Sequence, residues 1–153
     1  MLKLKTYSED MQQDIELFYE KCFTDLGWEY EPNGRHSDIV NIKEIYMKNG
    51  CMWCLYSDEK LIGTIAIHTL DKDSKVAEMK RLYVLKDYQG EGFGSQLFEI
   101  ALTYSKENNY EKICLDTRND RDASLHLIHK FGFVEIPKYN NNEFAELFFE
   151  LKL

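Results

Sequence analysis

With 153 residues, the chain is long enough to fold as one domain around a hydrophobic core. Its content of 44% hydrophobic and 30% charged residues is that of a globular protein and excludes a disordered one. The net charge of −8 disfavours nucleic acid as a partner, because an acidic surface repels phosphates, and it favours cationic small molecules.

Hydrophobic periodicity and turn residues predict eleven elements. In chain order they are a strand at Leu2–Thr6, a helix that begins after Ser8 and includes Cys22, a helix at Ser37–Met47, strands at Cys51–Ser57, Leu61–Leu70 and Val76–Leu85, a helix with its apolar face at 97–105, a strand at Ile113–Thr117, a helix at Asp122–Phe131, and strands at Phe133–Ile136 and Ala145–Leu151. Short polar turns predict that the three central strands form an antiparallel meander. The later strand–helix–strand unit predicts one parallel pair. The fold class is therefore α+β, a single domain over residues 1–153 on one mixed, mostly antiparallel sheet of seven strands.

Two features bear on location and metal binding. The amino-terminal sequence lacks the apolar core of a signal peptide, and Leu61–Leu70 is too short to span a bilayer, so we predict a cytoplasmic protein with no membrane partner. Cys51 and Cys54 form a C-x-x-C pair on a predicted strand, where odd spacing puts the thiols on opposite faces. We therefore predict ordinary buried cysteines and no metal.

A glycine-rich loop, Gln89–Ser95, connects the end of a strand to the start of a helix. The free amides of a helix N-terminus bind anions, and glycine lets a phosphate approach the backbone closely. The loop lacks the Lys of a P-loop, and Ser95 stands where a dinucleotide fingerprint needs its last glycine. A phosphate-binding loop is thus predicted, with a glycine-softened turn as the alternative.

Three segments together resemble the GNAT superfamily of N-acetyltransferases. They are the strand Glu78-Met79-Lys80-Arg81-Leu82-Tyr83-Val84, the loop Gln89-x-x-Gly92-x-Gly94, and the turn Lys130-Phe131-Gly132-Phe133. The resemblance runs from about Leu2 to the carboxyl terminus and is most specific in the loop. It implies a splayed sheet that admits acyl-coenzyme A, with acetyl-coenzyme A as the co-substrate.

The resemblance also implies which residues contact acetyl-coenzyme A. The loop would hold the pyrophosphate, the preceding strand would pair with the pantetheine arm and thioester, and Asn119 would substitute for a family asparagine whose place is taken by Arg121. The expected cofactor-binding residues are Leu82, Tyr83, Val84, Gln89, Gly90, Glu91, Gly92, Phe93, Gly94, Ser95 and Asn119.

Glu78 is the predicted catalytic base, because the resembling family often places a glutamate at this strand position. On a regular strand its even spacing would put it on the same face as Val84. The alternatives are a salt-bridged glutamate beside Lys80 and proton removal through a chain of waters. The family's usual acidic tyrosine is replaced by Ile128, which leaves Tyr139 as the candidate acid or no dedicated acid at all.

Arg35 and Asp38 are the predicted acceptor-binding residues, in a region that the resemblance places over the acceptor site. The planar guanidinium of Arg35 suits a carboxylate on the acceptor. The alternative is a simple helix start, in which Ser37 is the cap, Asp38 complements the helix dipole and Arg35 is solvated.

The predicted function is transfer of an acetyl group from acetyl-coenzyme A to the primary amine of a small amine, amino acid or peptide. Two alternatives stay open: a non-catalytic acyl-coenzyme A-binding module, and an enzyme that acetylates a protein N-terminus or lysine. The expected partner is a small-molecule amine, and a homodimer is compatible with these features.

Overall fold

Seven strands and three α-helices form the fold in the computed structural model, which describes residues 1–153. The elements are β1 Leu2–Thr6, α1 Gln12–Leu26, β2 Gly50–Ser57, β3 Lys60–Asp71, β4 Val76–Val84, α2 Phe93–Glu107, β5 Lys112–Thr117, α3 Asp122–Lys130, β6 Val134–Glu135 and β7 Leu147–Lys152. The sheet order is β1-β2-β3-β4-β5-β7-β6, and only the β4–β5 pair is parallel. The predicted α+β class, strand number and parallel crossover are confirmed.

The predicted helix over Ser37–Met47 is wrong as a continuous α-helix. The segment instead forms a 3₁₀ turn at Ile39–Asn41 and a π-helical turn at Lys43–Met47. Its β-branched residues lower the α-helical propensity, so local packing decides the geometry. Ile39, Ile42 and Tyr46 are almost completely buried, which shows that these turns are held by the core beneath them.

The sheet lies between α1 on one face and α2 on the other. Thr64 of β3 contacts the hydroxyl of Tyr19 in α1 at 2.7 Å, while Trp53 of β2 packs edge-on against Tyr104 of α2. Fully buried aromatic and aliphatic side chains from both helices complete the core. No helix of the fold is both long and apolar enough to cross a membrane.

The two cysteines of the C-x-x-C pair lie on β2, as predicted, at positions whose side chains point to opposite faces of the sheet. Burial raises the pKa of Cys54 to about 12, so its thiol stays protonated at neutral pH. These are ordinary strand cysteines with free thiols.

Strands β4 and β5 separate after a short region of pairing, which opens the sheet. Only Val76, Ala77 and Glu78 of β4 have partners on β5. A bulge follows at Arg81, whose φ of 59° lies in the left-handed region. Beyond Glu78 the β5-facing edge of β4 is therefore free of strand partners.

The bulge also corrects a register prediction. Glu78 lies opposite His68 and Tyr83 lies opposite Thr64, so these side chains share the face covered by α1. Because the bulge adds one residue, Val84 points to the other face. The expectation that Glu78 and Val84 share a face is therefore wrong.

Candidate active site

A cavity of about 700 Å³ opens where β4 and β5 separate. Its floor is formed by β4, and its walls come from the segment after α1, from β5 and α3, and from the loop before β7. Many of the residues that line it are charged or are histidine: Arg35, Asp38, His68, Glu78, Lys80, Arg81, Asp116, Arg118 and Arg121 are among them. A cleft in which polar and charged groups converge between apolar side chains is a common form of a small-molecule site.

The glycine-rich loop lies at the start of α2, as predicted. Gly90 and Gly92 have φ values of 81° and 86°, a conformation that other residues rarely adopt, and Gly92 is the N-cap of α2. No backbone carbonyl accepts a hydrogen bond from the amides of Gly90, Glu91 or Gly92. The first helical amides, from Phe93 onward, also lack intrahelical partners. These donors fit an anion such as a pyrophosphate.

A positive charge outside the predicted set lies beside this loop. The ammonium group of Lys130, at the end of α3, donates a hydrogen bond to Oγ of Ser95 at 3.0 Å. The side chain of Gln89 turns the other way and donates to the carbonyl of Val84 at 2.9 Å, which fixes the loop against β4. The loop is thus anchored to β4 at its start and has the ammonium group of Lys130 beside its helical end.

Leu82 and Tyr83 line the cavity, as expected of cofactor-binding residues on β4. Asn119 is exposed, and its backbone N–H donates to Oε1 of Glu146 at 3.2 Å. Arg121 lines the cavity instead, donates to the carbonyl of Leu82 at 3.4 Å and lies 4.7 Å from the ring centre of Tyr83. Position 121, rather than position 119, therefore reaches the open edge of β4.

Glu78 lies at the point where the two strands part, with only 5% of its side chain exposed. Its Oε1 lies 2.7 Å from Nε2 of His68, and its Oε2 accepts hydrogen bonds from Tyr139 at 2.5 Å and Asn140 at 3.4 Å. Burial acts to raise the pKa of Glu78, but the hydrogen bond from His68 and the charge of Lys80 outweigh it and hold the pKa below its ordinary value.

Tyr139 is brought to the same place, but its hydroxyl faces Glu78. Burial, together with the negative charge of Glu78, raises the pKa of Tyr139 far above its ordinary value. A phenol in this state is a weak proton donor for a leaving thiolate. Ile128 is buried and lines the cavity where the family's usual tyrosine would stand.

Asp38 is engaged by the protein itself. Arg81 donates to both its carboxylate oxygens, at 2.7 and 2.8 Å, and the hydroxyl of Tyr46 donates to Oδ2 at 2.5 Å. The side chain of Asp38 makes no helix-capping hydrogen bond. This ion pair joins the bulge of β4 to the segment after α1 and forms one wall of the cavity.

Arg35 lies at the mouth of the cavity. Its Nε is 2.7 Å from Oε2 of Glu31, and its guanidinium stacks 3.7 Å from the ring centre of Phe144. Arg118 lies over the same ring at 4.4 Å, and Trp28 packs against it edge-on. The mouth is thus formed by two arginines and two aromatic side chains.

Several polar residues of the site were not predicted from the sequence. His68, Asp116 and Arg118 line the cavity, Asn140 binds Glu78 and Asp116 beside it, and Lys130 lies at the loop. The position of His68 could have been predicted from the sequence. The β3–β4 hairpin turns around Asp73, and because His68 and Glu78 are equally distant from Asp73 in sequence, they lie opposite each other.

A splayed mixed sheet with a glycine-rich loop at its opening is the architecture of the GNAT acyltransferases. The profile of the acetyltransferase (GNAT) family matches residues 9–133, so the chain belongs to that family. The match covers most of the chain and confirms the resemblance drawn from the strand, loop and turn motifs.

Relatives and solved structures agree with this assignment. The probable N-acetyltransferase camello of Xenopus laevis is 25% identical over 122 residues, covering 76% of this chain and 56% of the relative. N-acetylaspartate synthetase of Xenopus tropicalis is 27% identical over 126 residues, covering 76% and 46%. The chain thus spans about half the length of these curated relatives.

Two crystal structures have the same fold. A GNAT acetyltransferase of Staphylococcus aureus Mu50 superposes with a TM-score of 0.90 at 19% identity, covering 99% of both chains. The PaiA N-acetyltransferase of Thermoplasma acidophilum, in complex with coenzyme A, has a TM-score of 0.73 at 16% identity, covering 100% of this chain and 99% of that one.

Proposed function

We propose that this protein transfers an acetyl group from acetyl-coenzyme A to the primary amine of a small acceptor that carries a carboxylate. Family membership and the coenzyme A complex of the Thermoplasma protein support the acetyl donor. The residues of this chain fit the donor as well. The unpaired amides of Gly90–Gly92 suit its pyrophosphate, and the free edge of β4 suits its extended pantetheine arm.

The reaction requires a deprotonated amine, because an alkylammonium group has no lone pair with which to attack a thioester. Glu78 and His68 lie together at the base of the cleft and can take up this proton. Attack puts negative charge on the thioester oxygen, which a backbone amide on the open edge of β4 can stabilise. The C–S bond then breaks, and coenzyme A leaves as its thiol after taking up a proton.

The distribution of arginine carries the carboxylate part of the proposal. The chain has four arginines and a net charge of −8, yet all four line this one cavity. Arg81 is neutralised by Asp38 at 2.7 Å, whereas Arg118 has carboxylates only at 3.5 and 3.6 Å. No carboxylate oxygen lies within 4.0 Å of the guanidinium nitrogens of Arg121, so Arg121 forms no ion pair. Such a site favours an anionic group on the acceptor.

Arg35 is the arginine that we assign to this carboxylate. It lies at the mouth, and its present partner, Glu31, has 47% of its side chain exposed and so is held weakly. The relative named N-acetylaspartate synthetase supports an acceptor of this kind, since N-acetylaspartate is an acetylated amine that carries carboxylates.

The proposal is tested by measuring acetylation of carboxylate-bearing amino acids, their amides and polyamines with acetyl-coenzyme A. We expect the amino acids to be the better acceptors. Arg35→Ala should raise KM for them at least tenfold, about 1.4 kcal/mol, and leave KM for acetyl-coenzyme A unchanged. Glu31→Gln is the matched control: it breaks the same ion pair but frees Arg35, so KM should not rise. Polyamines as the best acceptors, or equal effects of Arg35→Ala on all acceptors, would contradict the proposal.

A further inference from the structure

The carboxylate of Glu78 is poorly placed to touch an acceptor amine. Both of its oxygens already bind protein groups, Oε1 with His68 at 2.7 Å and Oε2 with Tyr139 at 2.5 Å. Only 5% of its side chain is exposed. A general base must come within hydrogen-bond reach of the proton that it removes. The proton must therefore pass through a chain of waters or to another group in this cluster.

His68 has the geometry that Glu78 lacks. It stands directly opposite Glu78 on β3, lines the cavity, and keeps 21% of its side chain exposed. Its Nε2 faces an ionised carboxylate, which only accepts hydrogen bonds, so Nε2 carries the proton. In the neutral ring the lone pair then belongs to Nδ1, which has no hydrogen-bond partner in the protein.

We propose that Nδ1 of His68 removes the proton from the acceptor amine and that Glu78 acts as a positioning residue behind it. This inference rests on the proposed function and specifies its proton acceptor. The acceptor ammonium gives one proton to Nδ1, and its nitrogen attacks the thioester carbon. The N–C bond forms, the C–S bond breaks, and the second nitrogen proton leaves with the coenzyme A sulfur. His68 returns its proton to water.

Carboxylates lie next to His68, where its ring gains positive charge when it takes the proton. The carboxylates of Glu78 and Asp116 are balanced by Lys80 alone, which lies 4.0 Å from the first and 3.7 Å from the second. The cluster therefore carries one excess negative charge while His68 is neutral, and protonation of His68 removes that excess. A carboxylate that orients an imidazole and stabilises its imidazolium is the arrangement of a catalytic triad.

The other groups that face His68 leave this balance unchanged. The ring of Tyr46, from the π-helical turn, packs edge-on against His68 at 5.7 Å. Its hydroxyl and that of Tyr139 are neutral at physiological pH, since burial raises the pKa of both. Behind Tyr46, Asp38 and Arg81 neutralise each other.

The test compares His68→Gln with Glu78→Gln over a range of pH. For wild type, kcat/KM should rise with pH along an acid limb set by His68. His68→Gln should lower kcat about a hundredfold and abolish this limb. Glu78→Gln should keep the limb and lower kcat, because the imidazolium that forms in the reaction loses its counter-charge. His126→Gln, on the exposed face of α3, should behave as wild type.

A second measurement separates catalysis from folding. In His68→Ala, added imidazole should restore part of the lost rate, which a structural defect would not allow. The proposal is overturned if His68→Gln keeps the acid limb, or if Glu78→Gln alone abolishes it. Absence of acetylated product from wild type with every acceptor would instead contradict the proposed function, and the two failures are distinguishable.

Discussion

The ion pair between Asp38 and Arg81 allows a stability prediction worked from distances. Asp38→Asn keeps the shape of the side chain but removes the charge that faces two guanidinium nitrogens at 2.7 and 2.8 Å. Arg81, with 13% of its side chain exposed, is left without a counter-charge. Removing one partner of a buried pair costs about 3–5 kcal/mol, and the residual exposure places this pair near the lower end, at about 3 kcal/mol.

The assay is urea unfolding followed by circular dichroism. With a slope of about 2 kcal/mol per M, the midpoint should fall by about 1.5 M at neutral pH. Replacing Arg81 by Met in the Asp38→Asn background should recover part of the loss, because no buried charge then remains unpaired. A loss below about 1 kcal/mol would show that the pair behaves as an exposed one, since exposed ion pairs contribute up to about that much.

The same pair has a defined pH dependence. Burial acts to raise the pKa of Asp38, but the hydrogen bonds and charge of Arg81 outweigh it and hold the pKa below its ordinary value of 3.8. A carboxyl whose pKa is lowered by folding stabilises the protein above its unfolded pKa, and this stabilisation is lost as pH falls through the folded value. The difference between wild type and Asp38→Asn should therefore shrink below about pH 4.

Three further predictions concern the loop, the tyrosine and a buried histidine. Gly92→Val should weaken acetyl-coenzyme A binding at least tenfold in calorimetry, because Val rarely adopts a φ of 86°. Gly27→Val is the control, since Gly27 has a similar φ of 77° but lies outside the loop, and it should leave the affinity unchanged. Equal affinities of wild type and Gly92→Val would show that the loop is not part of the site. Tyr139→Phe should keep kcat within a few-fold, since its hydroxyl donates to Glu78, and a hundredfold loss would identify it as the acid. Burial, with the charges of Arg81 and Arg35, lowers the pKa of His36 to about 4, so unfolding free energy should drop as pH falls from about 6.5 to 4. His36→Gln should remove that part of the drop and the exposed-site variant His126→Gln should not, and an unchanged pH dependence in His36→Gln would contradict the assignment.

The sequence predicted most of the fold because its signals are local. Alternating apolar residues, polar turns and the Gln89–Ser95 loop define strands, connections and a helix start without reference to distant residues. The π-helical turn at Lys43–Met47 was not predictable in this way, because its geometry depends on the core beneath it. The bulge at Arg81 has no local signal either, since Asp38, which binds Arg81, is distant in sequence.

The site was predictable to a smaller extent than the fold. Motif and resemblance located Glu78 and the loop, but the partners of Glu78 come from β3 and from the segment before β7. Asn140, for example, reaches both Glu78 and Asp116 from a loop with no hydrophobic pattern. Such contacts depend on how strands and loops pack in three dimensions, and one sequence carries little information on that packing.

Acetyl transfer to a carboxylate-bearing amine can be measured by mass spectrometry of a reaction with acetyl-coenzyme A and a panel of amino acids. We expect an N-acetylated amino acid and free coenzyme A in equal amounts, with both products formed about a hundredfold more slowly by His68→Gln. Coenzyme A released without any acetylated amine, or no reaction with any acceptor although acetyl-coenzyme A binds, would contradict the account.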